Sequence, residues 1–220
     1  MAPITEIVLA TRAPGAPLDA IYTLFASTLK PQPGNLAVRA SVVAEDPNAF
    51  RFFIDWDSLS SHHAFQASAA YAPFLAQLTP HSGGPVKVLH AELTPHPPTV
   101  LDNAEGAGKS AVAEVLFAYF DPAADTAAPL AAAQELAAGL RAAGFPGLSG
   151  ESAFGWTVEA DVEYEGQPTR ALVSLVGWDS VQAHKDARAT EAYGKLIADF
   201  RGAVQGLKGF DVTHVSNKIL

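Results

Sequence analysis

Cysteine is absent from all 220 residues. That excludes disulfides, thiolate nucleophiles and any Cys-ligated metal or iron–sulfur centre, and it leaves the redox compartment open. Charge is also scarce: 17% of residues are Asp, Glu, Lys or Arg against 49% hydrophobic, which supplies a sizeable core and argues against disorder. The charge present leans acidic, at −9 overall, with 5 basic and 7 acidic residues in 1–100 and 9 and 16 in 101–220. Such a surface repels phosphate and no Lys/Arg stripe overrides it, so nucleic acid is not an expected partner. No apolar run is long enough to span a bilayer, and the start Met1-Ala2-Pro3-Ile4-Thr5-Glu6 lacks the basic-then-apolar pattern of a secretory leader. A cytoplasmic protein with no membrane partner is the expectation.

The chain does contain a repeat of itself. Trp56–Leu78 (WDSLSSHHAFQASAAYAPFLAQL) aligns without a gap over Trp178–Phe200 (WDSVQAHKDARATEAYGKLIADF), and 8 of the 23 positions are identical, among them Trp56/Trp178, His62/His184 and Tyr71/Tyr193. Around this block the element order also repeats. Each half opens on an apolar stretch read as a strand, 4–11 and 111–120, followed by a helical pattern at 17–29 and 127–143. Gly/Pro clusters end both helices. Two strands joined by a polar turn come next, 36–44 with 50–56 and 153–163 with 170–178. Ser58 and Ser180 are the expected N-caps of a second helix, whose positions 61, 65, 68, 72 and 75, and 183, 187, 190, 194 and 197, form a small or apolar stripe expected to face the sheet. A last strand follows at 86–93 and 210–215.

Each half therefore reads β-α-β-β-α-β, an α+β ferredoxin-like unit. The expected boundaries are 1–95 and 111–220, with the Pro- and Gly-rich 96–110 as linker. A four-stranded sheet with its helices on one face leaves the other bare, and the two halves can cover these faces by packing sheet to sheet. One chain then supplies both sheets, so a monomeric intrachain pseudo-dimer is expected, with a homodimer as the alternative.

The segments FFIDWDSLSSH at 52–62 and SLVGWDSVQAH at 174–184, with the Ala-Tyr pairs at 70–71 and 192–193, resemble the dimeric α/β-barrel superfamily, of the antibiotic-biosynthesis-monooxygenase-like and stress-responsive type, here as a tandem fusion. The resemblance implies two halves forming one barrel. It also implies a small-molecule site between the sheet and the helices of a half, and chemistry that ranges from cofactor-independent oxygenases and polyketide cyclases to haem-degrading enzymes, lyases and members without activity. The positions nine and ten after each Trp are Phe65/Gln66 and Ala187/Arg188, so the His interval of the haem-degrading branch is missing.

Four histidines are candidates for proton transfer, because imidazole titrates near neutrality: His62 and His184 beside the core stripe, His90 and His214 in the last strands. Against this, repetition in both halves favours a shared scaffold role for His62 and His184, each ring packing under its Trp and bonding to the adjoining loop, and His90 and His214 read as buried, satisfied histidines. His63, opposite Lys185, is expected at the surface. Trp56, Trp178, Tyr71, Tyr193, Trp156 and Tyr22 are candidate walls for a flat ligand, with core packing as the plainer role. Trp156, Glu159, Asp161 and Arg39 sit on expected strands without obvious partners. No two histidines fall at helical i, i+4 spacing, so no metal is expected. Asn103–Ser110 ends like a phosphate loop, but a strand rather than a helix follows it. The functional expectation is a cofactor-independent enzyme or binding protein for a small, flat, largely apolar or aromatic molecule of polyketide type. The alternatives are a non-catalytic barrel and a haem-binding barrel.

Overall fold

The computed structural model describes residues 2–104, 106 and 108–220. The first half runs β1 (Ile4–Thr11), α1 (Leu18–Leu29), β2 (Asn35–Val43), β3 (Asp46–Trp56), α2 (Leu59–Gln66), α3 (Tyr71–Leu78) and β4 (Lys87–Ala91). The second runs β5 (Val112–Phe120), α4 (Ala127–Ala143), β6 (Leu148–Trp156), β7 (Val162–Tyr164), β8 (Gln167–Trp178), α5 (Val181–Arg188), α6 (Glu191–Ala203) and β9 (Leu207–Val215), with a short β10 (Lys218–Ile219).

Within each half the strand order is the same, β4-β1-β3-β2 and β9-β5-β8-β6, and β2 pairs with β9 to join them. At the free edges the chain closes. Ala91 bridges to Thr157 and Thr94 to Phe154, with backbone bonds from Glu92 N to Trp156 O and from Val158 N to His90 O. The other seam is its counterpart, Val43 facing Val215 and Ala44 N donating to His214 O. Two sheets that share both edges form a closed barrel, which removes unpaired strand edges. At the β4–β6 seam a side chain at Gly155 would strike Glu92 O at 1.9 Å, so glycine alone allows the strands this close.

Alternation along the strands sorts residues between two faces. Ile7, Phe53, Val115, Phe117, Val173 and Leu175 point inward and merge into one core drawn from both halves. Phe52, Ile54 and Trp56 point outward beneath the helices of the first half. The barrel interior also holds a buried ion pair: Arg39 donates to Asp55 (2.6 Å) and to Asp102, and Thr5 Oγ1 donates to Asp55 (2.7 Å). Arg39 thus has the partners that sequence did not disclose.

Three expectations are corrected. The second helix of each half breaks into two, at 67–70 and 189–190, with Thr190 capping the new helix in the second half. The break rotates the inward face, so Ala72 and Leu75 are exposed while Tyr193, Phe74 and Phe200 are buried. The second strand of the second half begins at Leu148, five residues before its expected start at 153, inside the Gly/Pro cluster. The connecting segment is no solvated tether: a 3₁₀ turn at Thr99–Leu101 places Val100 and Leu101, at 1% and 0% exposure, in the barrel core. Ser58 and Ser180 do cap, accepting from Ser61 N and Ala183 N.

Leu101→Ala is expected to lower the unfolding free energy by about 2–5 kcal/mol, the cost of a truncated core side chain, in chemical denaturation. A change below about 0.5 kcal/mol would mean the connector is not part of the core.

Candidate functional site

The four expected histidines meet in pairs, and each pair is completed by a glutamate of the other half. His62 Nδ1 lies 2.7 Å from His90 Nε2, and His90 Nδ1 lies 2.5 Å from Glu159 Oε1. In the second half His184 Nδ1 lies 2.7 Å from His214 Nε2, and His214 Nδ1 lies 2.5 Å from Glu45 Oε1. The other oxygen of each glutamate accepts the backbone N–H of the same histidine, at 3.0 Å in both halves. Glu45 follows β2 and Glu159 follows β6, so the barrel seams carry these carboxylates across. The partner of His62 and His184 is thus a second histidine, where the adjoining loop was expected.

At the inner end of each relay stands a buried acid on the first strand. Trp56 Nε1 donates to Glu6 Oε2 (2.9 Å) and Trp178 Nε1 to Glu114 Oε2 (3.2 Å), and these oxygens lie 3.5 and 3.4 Å from His62 Nε2 and His184 Nε2. Each Trp ring also stacks on its histidine, with centroids 5.3 and 4.8 Å apart. Sequence reading missed Glu6 and Glu114. The signal was available: each is a lone acid in an apolar strand, in matching contexts, Glu6-Ile7-Val8-Leu9-Ala10 and Glu114-Val115-Leu116-Phe117-Ala118.

Burial dominates the electrostatics. It raises Glu6 and Glu114 to about 7 against their Trp hydrogen bonds, and lowers His62 to about 4 and His184 to about 3, with the neighbouring histidine adding to the effect. Burial also raises Glu45 and Glu159, but the hydrogen bonds from His214 and His90 outweigh it and hold both below the ordinary range. The partners then assign the tautomers. Ionised Glu45 accepts a hydrogen bond from Nδ1–H of His214, whose Nε2 accepts from His184 Nδ1–H. The lone pair of His184 Nε2 is left facing Glu114 and the Tyr193 hydroxyl at 3.1 Å.

The halves differ in what surrounds this atom. A cavity of about 330 Å³ lies between the sheet and helices of the second half, lined by Glu114, His184 and Tyr193 among apolar neighbours. In the first half Phe25 stacks on Phe52 at 3.5 Å, with Phe74 and Phe65 packed beside them. The repeat replaces Phe52, Phe65 and Phe74 with Ser174, Ala187 and Leu196, and where α1 buries Ile21, Phe25 and Leu29, α4 buries Ala132, Ala133 and Ala137. Tyr71 packs edge-on against Phe65, whereas Ala187 leaves Tyr193 room to reach His184.

Of the six candidate wall aromatics, the structure brings Tyr193 to the cavity. Trp178 is fully buried behind His184, and Trp56 is its counterpart in the filled half. Trp156 donates to Thr126 O (2.8 Å) beneath α4, and Tyr22 lies over the first-half core with Lys218 above its ring. Glu159 lies in the turn after β6, where it meets His90, and His63 is exposed as expected. Among the described residues no three His, Asp or Glu side chains close on a metal position, and no helix is long and apolar enough to cross a membrane. The phosphate-loop-like segment leads into β5, and Ser110 N and Oγ both donate to Glu151; residues 105 and 107 lie outside the described residues.

Residues 17–77 match the family model for antibiotic biosynthesis monooxygenase. Comparison with curated proteins finds no sequence match. Among solved structures, an anthrone oxidase-like protein superposes with TM-score 0.64 at 16% identity, covering 100% of this chain and 94% of its own. A candidate monooxygenase from Lactobacillus acidophilus NCFM gives 0.56 at 13%, covering all of both chains. Another, from Fusobacterium nucleatum subsp. nucleatum, gives 0.57 at 10%, covering 99% of this chain and 94% of its own. The protein is an α+β barrel built from two ferredoxin-like halves. In sequence and fold it resembles the antibiotic-biosynthesis-monooxygenase type of dimeric α/β barrel, written as a tandem fusion.

The raised acids give a signed stability effect. A carboxyl at about 7 in the folded chain and 4.5 unfolded keeps its proton longer when folded, so stability is lost as pH rises from 4.5 through 7. The lowered histidines act oppositely, costing stability as pH falls from 6.5 through 4 and 3. From pH 4.5 to pH 8, the stability of Glu114→Gln relative to the natural chain is expected to rise by on the order of 3 kcal/mol. A gap that stays constant with pH would show that Glu114 titrates normally.

Proposed function

We propose that the second-half cavity binds a small, flat, largely apolar or aromatic molecule and that His184 Nε2 takes a proton from it without a cofactor. The halves 1–95 and 111–220, joined by 96–110, act as one unit, expected to work as a monomer in the cytoplasm because one chain satisfies both seams. The observation that carries the reading is that His184 lines the cavity, while phenylalanines fill the corresponding space beside His62.

The depressed basicity of His184 does not defeat this role, because the charge need not stay there. As Nε2 gains a proton, Nδ1–H can pass to His214 Nε2, leaving an imidazolium beside ionised Glu45. The electron pair of the broken C–H or O–H bond stays on the substrate as an enolate or phenolate. Tyr193 and Trp178 orient the base, and apolar walls exclude water.

A scaffold role is favoured by a separate observation: His62, His90 and Glu159 form the same relay in the half whose helix–sheet layer is packed with phenylalanines. Both readings hold if the relay braces each half and only the hollow one uses it. The first half is then an internal control.

Anthrone, a flat molecule with an acidic C10–H, suits the test, since one structural neighbour is an anthrone oxidase-like protein. Under anaerobic conditions the protein is expected to accelerate exchange of C10–H with deuterated water. His184→Gln should lose about 10²–10⁴-fold of that acceleration, and Glu45→Gln, outside the cavity, should also slow it. His62→Gln and Glu159→Gln should lower the melting temperature yet stay within about threefold in rate. Equal losses in the paired variants, or no acceleration by the natural chain, would overturn the proposal.

A further inference from the structure

We infer that the molecule taken up by the second-half cavity is an organic anion, drawn by the guanidinium charges of Arg188 and Arg201. This rests on the reading of that cavity as a binding site and adds the charge of its occupant.

Both arginines line the cavity, and among the described residues neither is ion-paired with a carboxylate. Both are exposed, whereas Glu114 and His184 are buried, and Arg188 stands near enough to Glu114, His184 and Tyr193 to act on them electrostatically. Arg201 lies 5.4 Å over the ring of Phe210, another lining residue, which holds its guanidinium against the cavity wall.

The repeat supplies an internal comparison. At the alignment that pairs Trp56 with Trp178, Arg188 answers to Gln66 and Arg201 to Thr79, so the filled half carries no charge at either place. The same alignment turns Phe52 and Phe65 into Ser174 and Ala187. Loss of the phenylalanines makes the space, and the arginines put two cations in its lining. The two changes coincide in the half with 16 acidic and 9 basic residues, where unpaired cations run against the local composition. Guanidinium presents a planar fork of donors that matches carboxylate and enolate oxygens. Glu114, the acid lining the cavity, stays protonated up to about 7 and so does not oppose an anion.

Anthracene-2-carboxylate and its neutral amide, anthracene-2-carboxamide, test this by fluorescence titration of the full chain. The natural chain is expected to bind the acid about tenfold or more tightly than the amide. The double variant Arg188→Gln/Arg201→Thr, which installs the first-half residues, should lose that preference while retaining amide affinity within about twofold. Ser174→Phe should weaken both probes. Equal binding of acid and amide by the natural chain would overturn the anion assignment and leave the cavity reading standing. Binding of the acid that survives Ser174→Phe would place it elsewhere and overturn it too. Failure of both probes to bind would overturn the assignment together with the reading beneath it.

Discussion

Closure of the barrel at its two seams is the constraint on which the rest depends. Each seam pairs a strand of one half with a strand of the other, and just beyond each one the chain turns and points a glutamate at a histidine of the opposite half. Ala44 N to His214 O brings Glu45 to His214, and Val158 N to His90 O brings Glu159 to His90. The bonds that remove the sheet edges therefore also set the tautomers of four buried imidazoles. Neither half could hold its own relay alone, since each lacks the terminal carboxylate.

A duplicated scaffold leaves room for divergence. Once the relay is present twice, one copy can serve as structure while the other faces a cavity. The first half fills its helix–sheet layer with phenylalanine, where close packing gains dispersion and excludes water. The second forgoes those contacts, burying alanines on α4 and Ser174 on β8, and forfeits the stability they would contribute. The cost falls on one half, while the barrel interior buries a single apolar cluster drawn from both. The family match over residues 17–77 thus lies on the filled half, and the open site lies on its divergent partner.

Much of the fold was legible because it repeats. A Trp-Asp-Ser start recurring at a fixed interval identified equivalent strand ends and N-caps, and the bare sheet faces argued for packing the halves together. The helix break was not legible, since Ala67–Ala70 and Ala189–Thr190 contain no proline or glycine. The site was half legible: the histidines stand out as repeated titratable residues, but His90 and His214 meet glutamates 69 and 169 residues away, which only the closed seam brings near. Glu6 and Glu114 escaped because apolar neighbours disguise a single acid as strand noise. The cavity itself is a set of differences between aligned residues, visible only when the copies are compared for what they lack.

The ring nitrogens of His184 and His214 give the most direct access to the relay. Nitrogen-15 chemical shifts at neutral pH should place protons on Nδ1 of both rings and leave both Nε2 atoms unprotonated. The Glu45→Gln variant should then redistribute the His214 tautomer without emptying the cavity. A proton resident on His184 Nε2 in the natural chain would contradict the assignment, since the ring nitrogen proposed as the base would already be occupied.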